Sequence, residues 1–181
     1  MTSTKENNLV WIDLEMTGLN PKEDTILEIS MIITNSNLEI IGEDNTYYIQ
    51  HNQKDFDNMN QWCQEHHTKS GLWDKVVEST LSIEEAESSI LKFLEAFTEK
   101  GKNILCGNSI HQDRRFIHKY MPRLDELLHY RMIDVSTLKE LCGRWYQDSN
   151  AEFTKKNSHR AYDDIVESIE ELKFYRKNFF K

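Results

Sequence analysis

Two carboxylates set two residues apart in an apolar run constrain this chain more than any other feature. The run is Leu9-Val10-Trp11-Ile12-Asp13-Leu14-Glu15-Met16-Thr17-Gly18-Leu19, followed by Pro21. Branched and aromatic residues closed by glycine and proline mark a strand that leads into a turn. Side chains alternate along a strand, so Asp13 and Glu15 point to the same side. Buried charge without a partner is costly, and like charges repel. Something positive belongs between them, either basic side chains or a divalent metal, unless the pair lies on the wet face of an edge strand. The pattern D-x-E by itself leaves these readings open.

The chain has 181 residues, 38% hydrophobic and 10% aromatic. It can bury a substantial core, and its composition is not that of a disordered chain. One domain over residues 1–181 is expected. No apolar run reaches membrane-spanning length, and Met1-Thr2-Ser3-Thr4-Lys5-Glu6-Asn7-Asn8 lacks the apolar centre of an export signal. Cys63, Cys106 and Cys142 are odd in number and widely spaced. That argues against a disulfide framework or a cysteine zinc cage and fits a reducing, cytoplasmic setting. The formal net charge is -9. Proteins that grip long nucleic acid carry a basic footprint, because phosphate neutralisation supplies much of the affinity. This chain either leaves nucleic acid alone or holds a very short piece through a few local contacts.

After the first strand, Ile26–Thr34 reads as a second and Asn35-Ser36-Asn37 as a turn. Leu38–Gln50 reads as a third strand, loosened around Gly42–Asn45, which completes an antiparallel meander. Between His51 and Thr80 the chain is polar and irregular. Trp62, His66, His67 and Trp73 in this stretch are either binding residues or lids on a satellite core. Ser82-Ile83-Glu84-Glu85 is a capping box that opens an amphipathic helix closed by Gly101. Ile104–Asn108 is a short buried strand, and the helix after it ends by Pro122. A short helix over Arg123–Tyr130, a strand at Met132–Asp134 and a helix over Val135–Tyr146 follow. A last helix runs from about Ser158 to Lys177. A meander followed by strands alternating with helices predicts an α/β fold with a mixed sheet flanked by helices.

The last helix opens with His159-Arg160-Ala161-Tyr162-Asp163-Asp164-Ile165. On a helix His159 and Asp163 are i and i+4 and share a face. Asp164 is turned away by about 100°, and Ile165 and Ile169 face the core. The pair is either a local His–Asp contact at a helix N-terminus, where acids are favoured anyway, or part of a site. Asp113 follows a buried strand and a Gly-Asn-Ser turn, at the kind of strand end where open α/β sheets keep their sites. It is equally placed to pair with Arg114 or Arg115. Together, Asp13, Glu15, Asp113 and Asp163 make an oxygen-only donor set suited to Mg²⁺ or Mn²⁺ rather than zinc. Two such ions are the usual machinery of in-line phosphoryl displacement, with His159 available as general base.

The set Asp13-x-Glu15, Asp113 and His159-x3-Asp163 resembles the DEDDh exonucleases of the ribonuclease H-like superfamily. Four blocks carry the resemblance: Trp11 to Leu19, Cys106 to Phe116, Asp134 to Leu141, and His159 to Ile165. It implies a ribonuclease H-like fold and a 3′→5′ exoribonuclease of very short RNA, especially 5′-phosphorylated dinucleotides, working as a homodimer with two divalent metals. It further implies that Asp13, Glu15, Asp113 and Asp163 hold the metals and that His159 is the base. Leu19 would wedge between the two bases and Trp62 would stack on one, a contact worth about 1–3 kcal/mol per base. Ser109, Arg131 and Ser136 would cap the 5′ phosphate together with Tyr130 of the partner subunit, and His67 would be a further substrate contact. A closed 5′ end rejects longer chains, and a dinucleotide has few phosphates to reward a basic surface.

Overall fold

The structure, a computed structural model, describes residues 5–146, 153–154 and 160–180. A 3-10 turn at Lys5–Asn7 leads into β1 (Leu9–Met16), β2 (Ile26–Thr34), β3 (Ile40–Glu43) and β4 (Tyr47–Tyr48). Three helices follow, α1 (Gln53–Asp57), α2 (Gln61–Lys69) and α3 (Leu72–Glu78), then α4 (Ile83–Leu94). The second half alternates: β5 (Ile104–Gly107), α5 (His111–Tyr120), α6 (Pro122–Leu127), β6 (Met132–Asp134), α7 (Val135–Trp145) and α8 (Ala161–Phe179). The strands form one sheet in the order β3-β2-β1-β5-β6, with β4 also on β2. β1 and β2 are antiparallel, whereas β5 runs parallel to both β1 and β6. The expected α/β fold with a mixed sheet flanked by helices is therefore present.

Strand alternation divides β1 between two cores. Val10, Ile12 and Leu14 join Ile29, Met31, Ile90 and Phe116 under α4, α5 and α6. Trp11 faces the other way and packs with Ile32, Cys106, Val135, Ile165 and Ile169 under α7 and α8. The Trp11 indole N–H donates to Thr34 Oγ1 at 3.0 Å in full burial, which leaves the large ring no unpaired polar atom. Asp13 and Glu15 follow Trp11 on the same side, so they belong to the α8 face. β2 is buried along its whole length between the two layers.

Several elements depart from their sequence reading. The third strand is two short ones, parted where Asp44 bonds its own turn and takes the Tyr47 hydroxyl at 2.7 Å. The capping box on Ser82 and Glu85 forms as expected, but α4 stops at Leu94 rather than near Gly101. Phe97 turns back to cover Gly42, where a Cβ would meet its ring at 2.7 Å. α6 starts at Pro122, whose missing N–H costs nothing at the first helical position. Buried Glu87 on α4 supplies its cap by accepting the Arg123 and Leu124 N–H groups at 2.7 and 3.1 Å. α8 begins at Ala161 after an extended Arg160, and residues 155–159 lie outside the described residues.

Phe116 is fully buried on the helix that carries Asp113. Phe116→Ala should lower unfolding free energy by about 3–5 kcal/mol in urea denaturation, the cost of an unfilled aromatic cavity.

Candidate active site

The site grows from a mismatch in strand length. Parallel pairing of β1 with β5 ends at Trp11–Cys106, yet β1 continues to Met16. Beyond Trp11 that edge of β1 has no partner strand among the described residues. The chain leaving β5 turns through Ser109, held in the left-handed region at φ 51°, and enters α5. Asp113, in the first turn of α5, accepts the Leu14 N–H at 3.0 Å through Oδ1. A buried carboxylate thus satisfies an edge donor that lies between Asp13 and Glu15 in sequence. Arg114 and Arg115 do not pair with it: Arg114 bonds Asp125 at 2.6 Å and Arg115 bonds Gln112.

One oxygen each of Asp13, Glu15 and Asp164 lie within 4.8 Å of one another. This corrects the expectation for the last acid, because Asp163 is exposed and Asp164 is the residue brought to β1. The reason is helix phase. The buried residues of α8 include Ala161, Ile165, Ser168 and Ile169. At about 100° per residue, Asp164 flanks that stripe, while Asp163 sits about 160° from Ile165 on the far side. His159 precedes the described start of α8, so the i, i+4 argument that favoured Asp163 does not apply, and His159 itself lies outside the described residues.

Burial and mutual repulsion work in the same direction on these acids. Burial, then the charges of Asp113, Glu15 and Asp164, hold the Asp13 carboxyl well above the usual range. Glu15 is pushed up to about 8 by burial and by Glu28, Asp164 and Asp113, against the opposing pull of Arg160. Burial raises Asp113 to about 7, although N–H groups of its own backbone and of Leu14 oppose the shift. Glu28 lies directly opposite Glu15 in the β1–β2 register and is itself raised by burial, with Arg160 the main counterweight. Among the described residues, Arg160 and, at Glu28, Lys75 are the cations that oppose the shifts of these acids. An oxygen-only donor set under such strain fits a divalent cation, held by Asp13, Glu15 and Asp164.

A cavity of about 420 Å³ adjoins Glu15 and is lined by Gly18, Leu19, Trp62, Cys63 and His67. Leu19 is 65% exposed and Trp62 is 64% exposed, so two apolar side chains stand open at its rim. Trp62 stacks flat on His66 with ring centroids 4.6 Å apart. Trp73 instead packs on Phe56 beside the satellite cluster of Leu27, Met59, Leu72 and Val76, so it is a lid and Trp62 is the open aromatic. His67 is buried, and its Nε2–H donates to the Met16 carbonyl at 2.9 Å, which ties α2 to the end of β1. Burial lowers its pKa, so the ring is neutral, and Nδ1 has no partner among the described residues.

The turn that presents Leu19 is held on several sides. Asp24 accepts the Thr17 hydroxyl and the Asn20 N–H at 3.1 and 2.8 Å. A Cβ at Gly18 would meet the Asp24 carboxylate at 2.5 Å, so this position needs glycine. From α5, Lys119 donates to the Pro21 carbonyl and Tyr120 to the Asp24 carbonyl. On the β6 side, Asp134 gathers Ser109 and Ser136: its Oδ1 accepts the Ser109 N–H at 2.9 Å and the Ser136 hydroxyl at 2.6 Å. Arg131 and Tyr130 are exposed nearby in sequence, with the Arg131 guanidinium 5.4 Å from the Tyr130 ring centre.

Sequence reasoning missed Glu28, Asp134, Asp164 and Arg160. Ile165 and Ile169 carried the phase that selects Asp164, whereas Glu28 becomes visible only through the cross-strand register.

The mixed sheet with acids gathered at the end of β1 is a ribonuclease H-like fold, and the family model places the chain among the exonucleases. A family model described as exonuclease matches residues 10–172. Among solved structures, the metal-free form of the Escherichia coli exonuclease I–ssDNA complex covers 96% of this chain at a TM-score of 0.71 and 14% identity. The chain spans 40% of that structure's length, and the likeness concerns the fold. Much nearer in sequence are curated proteins named oligoribonuclease. The one from Hydrogenovibrio crunogenus is 50% identical over 97% of this chain and 95% of its own length. That from Escherichia coli K12 is 49% identical over 99% of both chains. The chain belongs to the oligoribonuclease family.

The raised acids set a pH dependence. A carboxyl whose folded pKa lies above its unfolded value binds protons preferentially in the folded state, so stability falls as pH rises between the two. For Glu15 that window runs from 4.5 to about 8. Metal-free protein should lose thermal stability from pH 5 to 8. Added Mn²⁺ should raise Tm more at pH 8 than at pH 5.5, and Glu15→Gln should flatten both trends in differential scanning calorimetry.

Proposed function

We propose that this chain is a 3′→5′ exoribonuclease that degrades very short RNA, 5′-phosphorylated dinucleotides above all, as one exonuclease domain over residues 1–181. The observation that carries the reading is the acid trio Asp13–Glu15–Asp164, of which Glu15 lines the cavity rimmed by Leu19 and Trp62. The family relationship gives that juxtaposition its chemistry. Asp13, Glu15 and Asp164 hold divalent cations, with Asp113 joining them from α5; two ions, Mg²⁺ or Mn²⁺, are the proposed complement. Bound there, they would supply charge neutralisation at the scissile phosphate and an activated water. His159 is the proposed acceptor of that water's proton.

The remaining roles fall to binding residues. Leu19 enters between the two bases and Trp62 stacks on one of them. His67, which lines the same cavity, is the proposed further substrate contact. Ser109, Arg131 and Ser136 cap the 5′ phosphate, and Tyr130 of the partner subunit closes the cap in a homodimer. Asp134 orients both serines from behind. A cap of this kind reconciles a net charge of -9 with a nucleic-acid substrate, because selection comes from fit at one end rather than from phosphate neutralisation along a chain. Among the described residues no helix is long and apolar enough to cross a membrane. The cytoplasm is the proposed site of action.

Hydrolysis of labelled 5′-phosphorylated RNAs of graded length, with Mg²⁺ or Mn²⁺, tests the reading directly. Turnover should be highest on dinucleotides, and equal turnover of a 20-mer would contradict the cap. Asp164→Asn should cut kcat by on the order of a thousandfold or more, whereas Asp163→Asn should leave most activity. Trp62→Ala should raise KM for a dinucleotide by about 5–140-fold, the equivalent of one lost stack.

A further inference from the structure

Three neighbouring strands place Glu15, Glu28 and Tyr48 in one row: Glu15 faces Glu28 across β1–β2, and Glu28 faces Tyr48 across β2–β4. Arg160, the extended residue immediately before α8, reaches down onto this row. Its Nη2 donates to the Tyr48 hydroxyl at 2.6 Å and lies 3.5 Å from Glu28 Oε1. The guanidinium also stands 5.8 Å from the centre of the Tyr48 ring. Glu28 is 1% exposed, and its Oε2 has no hydrogen-bond partner among the described residues. A buried pair with imperfect geometry is a poor source of stability, and where such pairs are kept they can specify an arrangement instead.

What this pair specifies follows from the start of α8. Among the described residues no side chain caps its N-terminus. The Arg160 carbonyl accepts the Asp164 N–H at 3.0 Å, the bond that closes the first turn. The side chain clamped to β2 and β4 and the carbonyl that sets Asp164 therefore belong to one residue. One turn further on, Asn108 donates to Ser168 Oγ at 2.7 Å, and Ser168 donates back to the Asp164 carbonyl at 2.8 Å. Asp164 thus hangs between two anchors, one on the sheet and one at the end of β5.

We propose that Arg160 is a positioning residue: clamped by Tyr48 and Glu28, it fixes the first turn of α8 so that Asp164 reaches Asp13 and Glu15 to complete the cation site. The inference rests on the metal-dependent reading above. A positive charge near a cation site would, as charge alone, weaken cation binding. Positioning predicts the reverse on its removal.

Mn²⁺ titration by isothermal calorimetry separates the two effects in the full chain. Tyr48→Phe removes one hydroxyl and no charge, and Arg160→Gln removes the charge. Both should raise the Mn²⁺ Kd by at least about tenfold, the scale expected for supports of metal ligands, while far-ultraviolet circular dichroism stays that of the wild type. An unchanged Kd in Tyr48→Phe, or a tighter one in Arg160→Gln, overturns the proposal. Should Arg160→Gln fail to fold, Tyr48→Phe decides alone. A wild-type protein that takes up no Mn²⁺ overturns the metal reading itself rather than the role of Arg160.

Discussion

Like-charge crowding at the carboxyl end of β1 is the condition to which the surrounding structure answers. Burial raises the carboxyls of Asp13, Glu15, Glu28 and Asp113, the charge of Asp164 pushes the first three further the same way, and Arg160 opposes the shift at Glu15 and Glu28. Such a cluster persists only where packing elsewhere over-determines the backbone. Trp11 provides that hold two residues earlier, buried with its indole N–H paired. β5 supplies the rest by stopping short, which frees the Leu14 N–H for Asp113 and lets α5 and α8 approach the same strand end. The energetic liability and the chemical usefulness of the site have one origin. Oxygen donors held close at the cost of repulsion favour a small divalent cation.

The same strand couples this cluster to the cleft. Glu15 faces Asp13 and Asp164 and also lines the cavity that reaches Leu19 and Trp62. His67 ties α2, and with it Trp62, to the Met16 carbonyl at the strand's end. Asp24, Lys119 and Tyr120 hold the turn that carries Leu19. On the proposed reading, a base seated at the rim would be placed relative to the acids through a short run of backbone, with little slack for a longer or differently shaped end. Selection by such a fit would suit a chain of net charge -9.

Much of the scaffold was legible because its signals are local. Alternation and turn residues marked β1 and β2, the Ser82–Glu85 box opened α4, and Pro122 divided α5 from α6. Asp113 stood out by its place after a buried strand. Its competing partners, Arg114 and Arg115, were excluded only by the structure, which commits them to Asp125 and Gln112. Trp62 and Trp73 looked alike in sequence; packing on Phe56 separated them. Asp163 and Asp164 are adjacent, and the choice between them depended on where α8 begins. The phase carried by Ile165 and Ile169 pointed to Asp164, but pairing with His159 by helical spacing assumed a helix that starts too early.

The sequence alone determined the strand with its two acids, the mixed α/β order and the family, since these depend on residue type, alternation and spacing along the chain. Tertiary structure decided which distant groups share that strand end. Glu28 meets Glu15 only through the β1–β2 register, Arg160 meets Tyr48 only across the gap between α8 and β4, and Asp164 displaces Asp163 only through the rotation of α8 on the sheet. Such relations are set by how elements pack, and a shift of one residue in register or about 100° in helix phase would reassign every one of them.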